Sequence, residues 1–219
     1  MKTKMLADDR EEVEFILQKL REIFANDASG HDYWHTLRVY RNAMEIAKTE
    51  TCNEGIVKIS ALLHDVDDAK LFDTDNYANA RKIMAELNLD AQTTEEIISV
   101  ISQVSFKGTD SVTPNTIEGK IVQDADRLDA LGAIGIARAF AYGGSKGRCM
   151  HDPDRKPLEN ITEETYKNNA GTTINHFYEK LFLLKDLMNT DTGKRMACER
   201  DSYMHGFLEE FMCEWDGMR

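Results

Sequence analysis

The chain has 219 residues, of which 42% are hydrophobic and 30% are charged, and its formal net charge at pH 7 is −12. These proportions are typical of a globular protein with a sizeable core, which excludes a wholly disordered chain. The acidic balance argues against a nucleic-acid polymer as partner, because binding to phosphate backbones requires clustered Lys and Arg. No apolar run approaches the roughly 20 residues that span a bilayer, so we expect no membrane partner.

The first residues and the cysteines indicate a cytoplasmic protein. Residues Met1–Arg10 are charged and contain no apolar segment of the kind found in secretory signals. The cysteines are widely separated and form no C-x-x-C pair, which favours reduced thiols in a reducing compartment. They are Cys52, Cys149, Cys198 and Cys213.

Apolar residues recur at helical spacing through most of the chain, without the alternation that is typical of strands. We therefore predict an all-α, single-domain fold with a core over about residues 26–142, a mobile loop over about 143–160 and two long C-terminal helices over about 162–217. A capping box at Thr93–Glu96 indicates the start of the fifth helix, and a break is expected near Gly132 or Gly135. The predicted helices cover about residues 9–24, 32–50, 55–68, 76–87, 93–104, 117–142, 162–188 and 191–215.

The last two predicted helices carry apolar side chains at helical spacing. Core packing or a subunit interface would account for them without a ligand, so a homo-oligomer stays open. These positions are Phe177, Leu181, Leu184, Met188, Phe207, Leu208 and Phe211.

An adjacent His64–Asp65 pair stands directly behind the apolar run of the third predicted helix. Burying such groups without partners costs several kcal/mol. A divalent metal ion would account for the pair, because neutral imidazole and ionised carboxylate are both good ligands. His35 upstream and Asp126 downstream are available as two further ligands.

Helical geometry brings three of the candidate groups together. At about 100° per residue, the side chains of His64, Asp65 and Asp68 fall within one arc of about 100° if residues 55–68 form one helix. That arc lies beside the apolar face of the helix. His35 projects from the preceding helix, which we expect to pack antiparallel against this one.

The distal carboxylate comes from the segment 123–129, Gln-Asp-Ala-Asp-Arg-Leu-Asp. Its helical phase places Asp129 inside the apolar stripe, Asp126 at one edge and Asp124 at the opposite edge. Spacing alone favours Asp129 as the inward carboxylate. Helical phase therefore does not decide whether Asp126 or Asp129 is the metal ligand.

Taken together, His35, His64-Asp65 and Ala125-Asp126-Arg127-Leu128 resemble the H…HD…D signature of the HD-domain metal-dependent phosphohydrolases. In that family the aspartate of the Ala-Asp-Arg-Leu-like element is the fourth metal ligand. The resemblance therefore implies a helical HD-domain fold and a metal ion held by His35, His64, Asp65 and Asp126. Longer stretches resemble a subgroup of small bacterial HD nucleotide pyrophosphohydrolases, namely residues 31–38, 62–70, 105–108 and 119–144.

The resemblance also bears on the number of metal ions. HD relatives that hold two or more ions carry extra histidines between the HD pair and the last aspartate, and this chain has none between His64 and Asp126. We therefore expect one divalent ion. Mixed His and Asp donors suit Mn, Fe, Co, Ni or Zn better than Mg, and Mn is our preferred ion.

Further polar residues are candidates for contact with the substrate. Asp68 matches the position where several HD enzymes carry an acid near the attacking water, and its expected role is to orient or deprotonate that water. Cationic side chains close to the ligands could bind phosphate, Arg as a bidentate partner and Lys as a point charge. The residues assigned to substrate binding are Arg38, Lys70, Lys107 and Asp129.

The resemblance implies a small phosphorylated substrate, and we expect it to be a nucleotide. The leading hypothesis is hydrolysis of nucleoside or deoxynucleoside triphosphates to monophosphate and pyrophosphate. The alternatives are a 5′-nucleotidase acting on monophosphates, an alarmone hydrolase, and a nucleotide sensor that retains a metal site without turnover. Asp68 argues against a sensor, because a sensor need not retain an acid that activates water.

Overall fold

The computed structural model describes residues 9–25, 32–68, 72–104, 112–158 and 171–218, and the regular secondary structure in these ranges is entirely helical. This confirms the all-α prediction. In the described part of the chain, no helix combines the length and the apolar composition needed to cross a membrane. The α-helices are α1 Asp9–Ile23, α2 Tyr33–Ala47, α3 Glu54–Leu63, α4 Ala78–Glu86, α5 Ala91–Ile101, α6 Ile117–Asp129, α7 Gly132–Ser145, α8 Thr173–Glu179 and α9 Asp191–Trp215, with a 3₁₀ helix at Leu181–Leu187.

Helix α3 forms the centre of the core. Its residues from Ile56 to Leu63 are all buried, and α1, α2, α5 and α6 pack around it. A helix that is buried on every side must pair any charge that it carries. Lys58 meets this requirement through a buried ion pair with Glu12 of α1, at 2.7 Å. Since α2 also packs against α6, the helices α2, α3 and α6 converge, and the candidate ligands lie on these three elements or at their ends.

The third helix is shorter than predicted. It ends at Leu63 instead of Asp68, and His64–Asp67 form turns in which Asp68 N donates to Asp65 O at 3.1 Å. The side chain of Asp67 accepts hydrogen bonds from the backbone N–H groups of Asn79 and Ala80, at 3.0 and 2.8 Å. Asp67 thereby caps the first turn of α4. This contact to α4 favours an end of α3 before Asp67.

The start of α5 and the end of α7 also differ from prediction, whereas the break before α7 agrees with it. Helix α5 begins at Ala91, since Asp90 accepts a hydrogen bond from Thr93 N at 2.9 Å and caps the helix upstream of the predicted capping box. The predicted break between the sixth and seventh helices is confirmed at Ala130–Leu131, where Gly132 has a φ of +69° that side chains other than glycine rarely adopt. Residues 143–145, predicted as loop, belong to α7.

The first of the two predicted C-terminal helices is wrong in its described part. Residues 173–187 form α8 and the 3₁₀ helix, separated at Lys180, whose backbone lies outside the helical region (φ −141°, ψ −57°). The start of the prediction, at 162–170, lies outside the described residues. The second helix is confirmed as α9. Several of the predicted apolar positions lie in the core, namely Phe177, Leu181, Leu184, Met188 and Leu208.

Asp124 fixes α9 to α6. This fully buried carboxylate accepts hydrogen bonds from the backbone N–H groups of Asn189 and Thr190, both at 2.8 Å, and from the Thr190 hydroxyl at 2.8 Å. Thr190 is the N-cap of α9. Gly193 completes the junction, because a Cβ there would lie 2.5 Å from Asp124 Oδ2. One acid therefore satisfies the donors at the turn before the longest described helix.

We expect Asp124→Ala to lower the free energy of unfolding by about 3 kcal/mol, because it leaves buried N–H donors without an acceptor. Asp75→Ala, at an exposed position, serves as the control and should change stability by less than about 0.5 kcal/mol. Urea denaturation followed by circular dichroism measures both. Equal stability of the two variants would show that Asp124 does not hold α9 in place.

Candidate metal centre

His35 lies in the first turn of α2. The turn is fixed by Asp32, whose side chain caps the helix and accepts a hydrogen bond from His35 N at 2.8 Å. The imidazole is fully buried, and its two ring nitrogens have different surroundings. Nδ1 lies 2.7 Å from Asp129 Oδ2, whereas Nε2 lies on the side of His64 and Asp65.

His64 and Asp65 follow the last residue of α3. His64 Nδ1 lies 2.9 Å from the carbonyl oxygen of Ala61 and donates to it, because a carbonyl can only accept. Nε2 of His64 therefore carries the lone pair that a metal ion requires. It lies 3.2 Å from His35 Nε2 and 3.4 Å from Asp65 Oδ1, and Asp65 Oδ2 lies 3.2 Å from His35 Nε2.

Asp126 reaches the same point from α6. Its Oδ1 lies 3.5 Å from His35 Nε2 and 3.9 Å from His64 Nε2. Within the described ranges, His35, His64 and Asp126 form a group whose ligand atoms all lie within 4.8 Å of one another. The Asp126 side chain is 25% exposed, whereas the two imidazoles are buried, so the accessible side of the cluster is at Asp126.

The donor set fits a divalent metal ion. Two imidazole nitrogens 3.2 Å apart can both lie about 2.1 Å from one ion, the usual length of a metal–nitrogen bond. Carboxylate oxygens of Asp65 and Asp126 are close enough to add to them. Such a mixture of nitrogen and oxygen donors binds transition metals well.

Asp129, the alternative to Asp126, has a different position. It is buried as its helical phase predicts, but its oxygens face Nδ1 of His35 and the guanidinium groups of Arg38 and Arg138. Arg38 donates through Nε at 2.6 Å and Nη2 at 3.0 Å, and Arg138 through Nη1 at 2.6 Å. Burial raises the pKa of Asp129, but the bonds from His35 and Arg38 outweigh it and hold that pKa well below its usual range. Asp129 thus orients His35 from behind.

The electrostatic surroundings of His35 favour a positive charge at this point. Burial lowers the pKa of the ring, but hydrogen bonds to Asp129 and Asp65 outweigh burial and raise the pKa to about 9. A metal ion binds only the unprotonated Nε2, so binding would release this proton.

The remaining predicted residues are only partly described. Asp68 is half-buried and is kept near Asp65 by the backbone hydrogen bond between them. Arg38 holds Asp129 on the Nδ1 side of His35, so its contact with substrate stays a prediction. Lys70 and Lys107 lie outside the described residues.

Arg138 is a further residue of the site that no sequence pattern indicated. This side chain reaches Asp129 across the break at Ala130–Leu131 that separates α6 from α7. Helical spacing within one segment carries no sign of such a contact. The acceptor for His64, the carbonyl of Ala61, was also missed, although the i−3 position makes it a local partner.

Comparisons with known proteins identify the family of this chain. The HD domain family model matches residues 33–131. A solved protein from Lactobacillus plantarum is 40% identical, covering 97% of this chain and 100% of its own, with a TM-score of 0.79. An HD-superfamily hydrolase from Bacillus thuringiensis is 41% identical, covering 95% of this chain and 99% of its own, with a TM-score of 0.75.

A third relative is YpgQ of Bacillus subtilis, an uncharacterized protein. It is 35% identical over 195 residues, which are 87% of each chain. Its crystal structure in complex with ADP covers 94% of this chain and all of its own, with a TM-score of 0.75. The chain therefore belongs to the HD domain family and is a metal-dependent phosphohydrolase of the HD superfamily.

Proposed function

We propose that the protein hydrolyses nucleoside and deoxynucleoside triphosphates to the monophosphate and pyrophosphate. The observation that carries the proposal is the meeting of His35, His64 and Asp126 at one point, next to Asp65. The existence of an ADP complex of YpgQ supports a nucleotide as the substrate.

We further propose that His35, His64, Asp65 and Asp126 together hold one divalent ion, preferably Mn, with Fe, Co, Ni, Zn or Mg as substitutes. When bound, such an ion polarises a phosphate oxygen and makes a water molecule more acidic. The buried imidazoles anchor the ion on the protein side, and the exposed edge of Asp126 leaves access for the substrate.

The side chains near the ligands have separate roles in this proposal. Asp68 accepts the proton of the attacking water, whose oxygen forms a bond to the α-phosphorus while the bond to the bridging oxygen breaks and pyrophosphate leaves. Asp129 keeps Nδ1 of His35 bonded, so that Nε2 points at the ligand cluster. Lys70 and Lys107 are the proposed partners of the leaving phosphates.

The reaction is tested by incubating the purified protein with Mn²⁺ and a panel of nucleoside mono-, di- and triphosphates. We expect pyrophosphate and monophosphate in equal amounts, separated by ion-exchange chromatography. Release of orthophosphate alone would contradict the proposal and indicate a nucleotidase. The absence of any product from metal-loaded protein would contradict hydrolysis of these substrates.

The ligand assignment is tested by comparing Asp126→Ala with Asp129→Asn. We expect Asp126→Ala to abolish Mn²⁺ binding, because it removes a ligand from the open side of the cluster. Asp129→Asn keeps an acceptor for His35 and should weaken binding by about 10- to 100-fold, the usual effect of losing a residue behind a ligand. Metal content and titration calorimetry measure both, and the reverse order of effects would identify Asp129 as the ligand.

The role of Asp68 is tested by Asp68→Asn. We expect kcat to fall by about 10²- to 10⁴-fold, the usual contribution of a general base, with metal content unchanged. Asp73→Asn, an exposed acid in the following segment, is the matched control and should retain parent activity. A kcat within threefold of the parent in Asp68→Asn would remove Asp68 from the mechanism.

A further inference from the structure

A cavity lies behind the candidate metal centre, on the Nδ1 side of His35. Its volume is about 380 Å³, within the range of small-molecule pockets. It lies between α2, α9 and the beginning of α7, with Asp129 in its wall. None of the four proposed metal ligands is among the described residues that line it.

Three arginines line this cavity, Arg38 and Arg41 from α2 and Arg200 from α9. Among the described lining residues Asp129 is the only acid, and its oxygens already accept bonds from His35, Arg38 and Arg138. The wall therefore has a net positive charge, although the chain as a whole has a net charge of −12.

Arg38 and Arg200 are held in place by hydrogen bonds, whereas Arg41 is exposed. Arg200 donates to the carbonyl of Leu128 and to Asn42 Oδ1, the latter at 3.0 Å. It packs against Gly132, where a Cβ would lie 3.1 Å from Arg200 Cγ. Fixed guanidinium groups lose little entropy on binding an oxyanion. Because Nε and Nη2 of Arg38 already bond to Asp129, the guanidinium of Arg41 and the remaining N–H groups of Arg38 and Arg200 are the donors for such a ligand.

The first turn of α7 adds to the positive potential. Gly132, Ala133 and Ile134 line the cavity, and the N-cap Leu131 makes no side-chain hydrogen bond to this turn. The first N–H groups of a helix have no partner within the helix and carry a partial positive charge. They reinforce the arginine cluster.

We propose that this cavity binds a diphosphate group, at a site separate from the metal centre. Three guanidinium groups against one carboxylate leave about two positive charges for a ligand, which matches a diphosphate better than a monoanion. The imidazole of His35 and the carboxylate of Asp129 separate the two sites. The inference does not depend on which reaction the metal centre catalyses.

Binding is measured by titration calorimetry with methylenediphosphonate, a diphosphate whose carbon bridge resists hydrolysis, on the purified full-length protein. Ala133→Asp places a carboxylate in the cavity at a position where an acid favours the helix, so folding should be preserved. We expect binding to weaken at least tenfold relative to the matched neutral variant Ala133→Asn. Arg41→Gln should weaken it at least threefold, because one charge-assisted contact is lost.

Two further variants separate this cavity from the metal centre. Asp126→Ala should retain binding within threefold, because the cavity does not contain Asp126. Arg195→Gln removes an exposed arginine of the same helix as Arg200 and should bind as the parent does. The proposal is overturned if Asp126→Ala abolishes binding, or if Ala133→Asp and Arg41→Gln both bind within twofold of the parent.

The source of the diphosphate is identified by the same titration with α,β-methylene-ADP, performed on Asp126→Ala. Affinity at least tenfold higher than for methylenediphosphonate would assign the cavity to a nucleoside diphosphate. Equal affinity would assign it to the free diphosphate. If Asp126→Ala bound neither methylenediphosphonate nor α,β-methylene-ADP, the proposal would again be contradicted.

Discussion

The hydrogen bond between His35 and Asp129 is the interaction on which both sites depend. A buried carboxylate is costly unless charged partners surround it, and Asp129 has three, His35, Arg38 and Arg138. These partners come from α2 and α7, so one side chain at the end of α6 joins three helices. The same bond fixes the ring of His35 with Nε2 facing the other ligands. The packing of the core and the orientation of His35 are thereby coupled at Asp129.

Helix α6 carries three aspartates with three different tasks, although they lie within six residues. Asp124 points to α9 and satisfies the turn before it, Asp126 joins the ligand cluster, and Asp129 supports His35. At about 100° per residue, Asp124 lies far around the helix from the other two, whereas Asp126 and Asp129 lie about 60° apart and both reach His35. Asp124 therefore has contacts separate from those of the other two, whereas Asp126 and Asp129 act on the same imidazole, so a change at Asp129 is expected to affect the ligand cluster as well.

Charge is distributed unevenly around this helix. The metal cluster combines two imidazoles with two carboxylates, which favours a cation, whereas the cavity behind Asp129 is lined mainly by guanidinium groups, which favours an anion. With this distribution of charge, an acidic protein would attract phosphate at the ligand cluster, once a cation is bound there, and at the arginine-lined cavity. The HD superfamily accounts for the metal chemistry, while the arrangement of Arg38, Arg41 and Arg200 belongs to the way in which α2 and α9 meet in this fold.

The sequence alone predicted the helical fold class, most helix positions, a break near Gly132 or Gly135 and the grouping of His35, His64 and Asp126, because periodicity and a short signature are local properties. Some of its errors were at helix ends, such as Leu63 and Ala91, where the caps Asp67 and Asp90 decide the boundary. Another was the first C-terminal helix, which is interrupted at Lys180. Helical phase indicated that Asp129 is buried but not what it contacts. Only the tertiary structure decided that Asp129 supports His35, that Arg138 joins it and that Arg200 completes a basic cavity. These contacts join residues from separate helices, and their pairing depends on how the helices pack.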